Sequence, residues 1–352
     1  MTSRFDDVAL RVPVDPALAR AEGRELIRHE GGRFGEAAAG GRIVFRAAVL
    51  VVGAGVLAAL YVLTVQLMFG APGADATTVV IAGLMVAPLA VMQIRGAVRG
   101  RRAAEVGWYR LRRFTEANGM SYTAIEKDPV RPAALFRVGS SRVAGDLVTA
   151  TAHRPFEVAN YAYDTWTART RMPHTACYAM FTLRTTLPPM TLVTAARDIP
   201  SCAWKVPPSH RPLVIGGSFD AHFQVHCAPR DDDAVRRLLT PAVQETLVEL
   251  AGNCDVEIVD GRVFFIARRA LPNTTPAFWE WIEDLAALVD EQLDRQGGSA
   301  VPGTRVADEA RRSRRAGLFE RTRAPRGTAV VGCLIPLLFG VAAPAVISAI
   351  MR

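Results

Sequence analysis

LTPAVQETLVELAGNCDVEIVDGRVFFIARR, residues 239–269, reads as a helix that runs directly into a β-hairpin. Thr240 is placed as an N-cap and Pro241 in the first turn, where a missing N–H costs nothing, and Val243, Leu247 and Leu250 then recur on one helical face. Two strand-like runs follow, Asp255–Val259 and Arg262–Ala267, joined by Asp260-Gly261, a pair that tolerates the positive φ angles of a type I′ turn. A helix and an antiparallel hairpin side by side predict an α+β domain.

Working outward, Pro276 to about Arg295 forms a helix in which Phe278, Trp281, Ile282, Leu285, Leu288, Val289 and Gln292 trace one face, a pattern of core packing. Upstream, short β segments are expected at Ser121–Ile125, Leu147–Thr151, Phe156–Tyr163, Thr175–Arg184, Met190–Thr194 and Ala221–Cys227. The acidic run Asp231, Asp232 and Asp233 suits a helix N-terminus. Further helices are expected over Ala103–Asn118 and from Asp15, as N-cap, to Gly31. Residues 103–295 are thus read as an α+β domain, mainly an antiparallel β sheet or partial barrel with packed helices.

Outside that domain three charge-free stretches stand out, Ala47–Phe69, Thr77–Ile94 and Thr328–Ile350. Each is long enough to cross a hydrocarbon core of about 30 Å as a helix. Arg42 and Arg46 precede the first, Arg95, Arg99, Arg101 and Arg102 follow the second, and seven arginines between Arg311 and Arg326 precede the third. The positive-inside rule then predicts a plasma-membrane protein whose N-terminus and main domain are cytoplasmic and whose C-terminus is outside. The expected organisation is a polar segment 1–42, a transmembrane hairpin 43–97, the cytosolic domain 103–295, a flexible basic linker 296–327 and a last transmembrane helix 328–350. No ionisable residue interrupts the three stretches, which argues for an anchor and against a transport pathway. Small-residue pairs such as Gly55 with Ala59 favour helix packing, within the chain or in a homo-oligomer.

The net charge of +8 is unevenly placed. Residues 103–295 hold 21 basic against 23 acidic side chains, and the excess lies beside the apolar stretches. That placement suits anionic lipid headgroups and argues against nucleic acid, whose footprint belongs on the domain. The five cysteines form no CxxC pair and suit a reduced compartment.

No phosphate-binding loop, GxSxG, HExxH or EF-hand pattern is present, and no cofactor or metal is expected. The candidate cluster is Asp220, His222 and His226, which would share one face of a strand. The two imidazoles would then lie about 13 Å apart, too far to share a metal without a bulge. His174 with Cys177, and Cys202 with His210, are ligand pairs that only the fold can bring together.

WYRLRRFTEANGMSY from Trp108, FEVANYAY from Phe156, GSFDAHFQVHC from Gly217 and the 239–269 stretch resemble strings of a family of uncharacterised actinobacterial membrane proteins. In that family two spans precede a cytosolic domain of unknown function, so the resemblance implies an architecture and no activity. The expected function is a membrane-anchored, non-catalytic binding or scaffold module with a protein partner or a second copy. The alternative is a membrane-bound hydrolase that gathers Asp220, His222 and Asp164 or Glu157.

Overall fold

β-Branched and aromatic residues recur through the middle of the chain, whose strands pair into one sheet. The computed structural model describes residues 5–29, 95, 99, 103–152, 154–167, 170–195 and 206–295. The chain forms two compact units, Met1–Ala307 and Asp308–Arg352, and the described residues belong to the first.

Nine strands are described: β1 (Ser121–Lys127), β2 (Ser140–Ala150), β3 (Phe156–Thr167), β4 (Thr170–Thr182), β5 (Met190–Thr194), β6 (Arg211–Leu213), β7 (Phe223–Cys227), β8 (Cys254–Val259) and β9 (Arg262–Ala267). Their order is β1-β2-β3-β4-β9-β8-β5-β7-β6, every neighbouring pair antiparallel. The described helices are α1 (Val8–Arg11), α2 (Pro16–His29), α3 (residues 103–117), α4 (Asp232–Leu238), α5 (Pro241–Ala251) and α6 (Pro276–Leu288). Asp260 and Gly261 turn β8 into β9 with φ angles of 48° and 67°, as a type I′ hairpin requires.

Strand alternation gives the sheet two faces. On one, Phe156 packs on Phe181 and meets Phe5, which also contacts Phe114 of α3 and Trp279 of α6. Trp281 donates its indole N–H to the Leu250 carbonyl at 2.9 Å and ties α6 to α5 on this helix-covered face. The opposite face carries Ala159, Tyr161 and Tyr163 of β3, Ala176 and Tyr178 of β4, and Phe264 and Ile266 of β9, and residues 128–139 pack over it.

Two parts of the expected fold class are corrected. The sheet is not a partial barrel, since it runs from edge strand β1 to edge strand β6 without closing. Nor does the described fold contain a transmembrane helix: among the described residues none is long and apolar enough to cross a membrane. The 13 residues of α6 rise about 20 Å against the roughly 30 Å required. In α2, Arg20, Glu22, Arg24, Glu25 and Arg28 charge most of its length. The stretches 47–69, 77–94 and 328–350, on which the membrane reading and its positive-inside orientation rested, lie outside the described residues, as does the linker 296–327.

Candidate functional site

Residues 128–139 form a strap between β1 and β2 that crosses the tyrosine-rich face. Asp128 starts it in the left-handed region, φ 45°, and Pro129 and Pro132 hold it extended. Arg131 reaches Glu157 of β3 at 2.8 Å and Glu126 of β1 at 2.9 Å. A single 3-10 turn, Ala134–Arg137, then lowers Leu135 and Phe136 into the core, where Phe136 lies 5.0 Å from Tyr161, 4.9 Å from Tyr178 and 6.1 Å from Phe264.

The far anchor is a buried carboxylate. The Ala134 backbone N–H donates to both Glu257 oxygens, at 3.1 and 2.9 Å, so the strap is tied to β8. Glu257 is 4% exposed. Burial pushes its carboxyl up to about 7, against smaller lowering by the Ala134 N–H and by the charge of Arg137. Gly139 ends the strap at φ 75°, where a Cβ would stand 2.5 Å from the Asp164 carbonyl oxygen. Only glycine fits there without displacing β3.

An open groove of about 790 Å³ runs beside the strap. Pro129, Val130, Pro132 and Met180 give it an apolar side, and Arg131, Arg137, Arg142 and Arg262 line it with positive charge against Glu157 and Asp260. The volume falls within the range of small-molecule sites. Not all four guanidiniums are equivalent. Arg131 is held by two carboxylates, and although burial opposes its charge, Glu157 and Glu126 outweigh that and raise its pKa. Tyr178 adds a phenol donor to Glu157 at 2.6 Å. Arg142 is divided between Asp128, at 3.2 Å, and the Phe136 carbonyl, at 2.8 Å. Arg137 and Arg262 have no ion-pair partner among the described residues, and Arg262 reaches only the Asp260 carbonyl, at 3.5 Å.

The sequence candidates lie elsewhere. Asp220 belongs to a 3-10 turn, Phe219–Ala221, and its carboxylate accepts from the Gly216 N–H at 2.9 Å and the Ile215 N–H at 3.2 Å, which staples a loop. His222 is an exposed turn residue whose carbonyl accepts from the Ala195 N–H at 2.8 Å. Only His226 is on the strand, half-buried and facing the same way as Thr191 and Pro212, its pKa lowered first by burial and then by His210. The three therefore do not share a strand face. Glu157 lies five strand spacings from β7, about 24 Å, and Asp164 projects to the other face of β3, paired with Arg171 at 2.5 Å. The fold does not gather the expected hydrolase set.

His174 stacks on Tyr163 at 4.9 Å and shares a 2.7 Å hydrogen bond with Thr165, while Cys177 points to the opposite face of β4 and is buried. Cys202 lies outside the described residues. Asp231 closes a 3-10 turn and Asp232 opens α4, where Asp232 binds Arg211 at 2.8 Å. Among the described residues no group of three or more His, Cys, Asp or Glu side chains is arranged to hold a metal ion.

The sequence reading missed the strap and its arginines. Their only local signals are Pro129, Pro132 and Gly139, which punctuate chain without stating what it covers. No family model, curated protein or solved structure matches this chain.

Proposed function

We propose that the described domain is a binding module whose ligand lies in the groove between the strap and the sheet. The observation that carries this reading is the groove itself, about 790 Å³ with one apolar side and one arginine-rich side. Catalysis has no comparable support. Glu257 has a carboxyl tuned towards neutrality, as a general acid or base needs, but both its oxygens hold the strap through Ala134 and it does not line the groove. Nucleic acid is a poor fit as the ligand, since residues 103–295 carry more acidic than basic side chains.

The test is a ligand-observed NMR fragment screen on the full chain and on Val130→Trp. Val130 is 85% exposed on the groove rim, so an indole there obstructs the groove without disturbing the core. Fragments that bind the native chain should be lost from Val130→Trp. Fragments that bind both equally would place the ligand elsewhere and overturn the reading.

A further inference from the structure

The arginines of the groove define what it takes. Four guanidiniums line the groove, with Glu157 and Asp260 in the lining and Glu126 and Asp128 beside it. Two of the four are already occupied: Arg131 by Glu157 and Glu126, and Arg142 by Asp128 and the Phe136 carbonyl. Arg137 and Arg262 are the two without an ion-pair partner among the described residues, and they come from different elements. Arg137 ends the strap's 3-10 turn and is exposed, and Arg262 opens β9 beside the hairpin turn. A guanidinium presents a planar fork of N–H donors that matches carboxylate and phosphate oxygens, and two such forks lining one groove favour an oxyanion. Next to them Pro129, Val130, Pro132 and Met180 offer apolar surface without donors.

Resting on the binding-module reading, we propose that the groove binds a small amphipathic oxyanion, its carboxylate or phosphate held between Arg137 and Arg262 and its apolar portion on Pro129, Val130, Pro132 and Met180. Such a ligand satisfies both cations at once and covers the apolar side. A neutral ligand of the same shape leaves two guanidiniums to be desolvated without a partner.

Isothermal titration of the full chain with phenylacetate, phenyl phosphate and neutral phenylacetamide tests this. Both anions should bind at least about tenfold more tightly than the amide, the size of one charge-assisted hydrogen bond. Arg137→Gln and Arg262→Gln should each weaken anion binding about tenfold and leave the amide unchanged. Arg137 is exposed, so its variant folds and its result is interpretable. Equal binding of acid and amide, lost in Val130→Trp but unaffected by either arginine variant, would overturn the oxyanion while the groove reading stands. Binding of none of the three probes, together with fragments indifferent to Val130→Trp, would remove both. Competition identifies the source: displacement of phenylacetate by phosphatidylglycerol vesicles but not by phosphatidylcholine vesicles makes the oxyanion a lipid headgroup, and displacement by neither makes it a free metabolite-sized anion.

Discussion

At the residue scale, the strand Cys254–Val259 alternates apolar and acidic side chains, which in sequence reads as acids facing water. Both acids are buried. Asp255, fully enclosed, takes a two-pronged contact from Arg268 at 2.6 and 2.8 Å and the Thr194 N–H at 2.9 Å, whereas Glu257 holds the strap. Alternation could locate the strand but not its environment, because the cover comes from other elements: Thr194 lies 61 positions from Asp255 and Ala134 lies 123 from Glu257. Glu257 yields a pH prediction. Its folded pKa, about 7, lies above its ordinary 4.5, so its contribution is fully present below 4.5 and is lost as pH rises through 7. A shift of that size amounts to about 3 kcal/mol. Glu257→Gln, which keeps an acceptor for Ala134, should match the native chain in urea denaturation at low pH and exceed it by up to about 3 kcal/mol at pH 8. A gap that does not change with pH would mean Glu257 is not the titrating group. Tyr161 offers a second test: its buried hydroxyl has no hydrogen-bond partner among the described residues, and burial pushes its pKa up to about 12. Tyr161→Phe should be neutral or stabilising by about 1 kcal/mol, since an unsatisfied hydroxyl is removed and the ring packing kept. A clear loss of stability in thermal unfolding would reveal a partner for that hydroxyl.

At the scale of elements, local chemistry announced some parts and hid others. Met190–Thr194 matches the expected strand end to end, and the Asp260-Gly261 hairpin and the Thr240-Pro241 helix start lie where the sequence put them. The strand expected at Leu147–Thr151 is the longer Ser140–Ala150, because register shifts, with Ser141 and Asp146 both at φ 53°, break its alternation. The edge strand Arg211–Leu213 has three residues and a proline, too little for any pattern. The strap has no periodicity at all, since tertiary contacts shape it. Gly139 is its most sensitive point. Gly139→Ala adds a Cβ 2.5 Å from a β3 carbonyl oxygen at a left-handed φ, and should cost about 1–3 kcal/mol or more. If the strap is held as described, the same variant also lowers phenylacetate affinity; unchanged stability and affinity would show that the strap is free to shift away from β3.

At the scale of the molecule, one sheet is covered by helices on one face and in part by a strap on the other, and the groove lies where strap and sheet leave space. The α+β character was legible because helical and alternating patterns each survive over whole elements. The open strand order, with β1 and β6 as its edges, was not, because strand order is a long-range property: β4 pairs with β9 across some eighty intervening residues. The cysteines also follow from whole-molecule burial. Cys177, Cys227 and Cys254 are buried, and burial raises the thiol pKa of Cys177 to about 12, of Cys227 to about 11 and of Cys254 as well. Iodoacetamide at pH 8 should leave these three unmodified in the folded chain and label them after denaturation, and mass spectrometry showing rapid native labelling at any of them would contradict the packing. The central claim, that the strap and the sheet form an anion-binding groove, is tested most directly by mapping amide chemical shifts of the full chain during titration with phenylacetate. Shifts concentrated at Val130, Arg131, Arg137, Asp260, Gly261 and Arg262 are the predicted result. Shifts clustered away from those residues, around His222 and His226 for example, would contradict it.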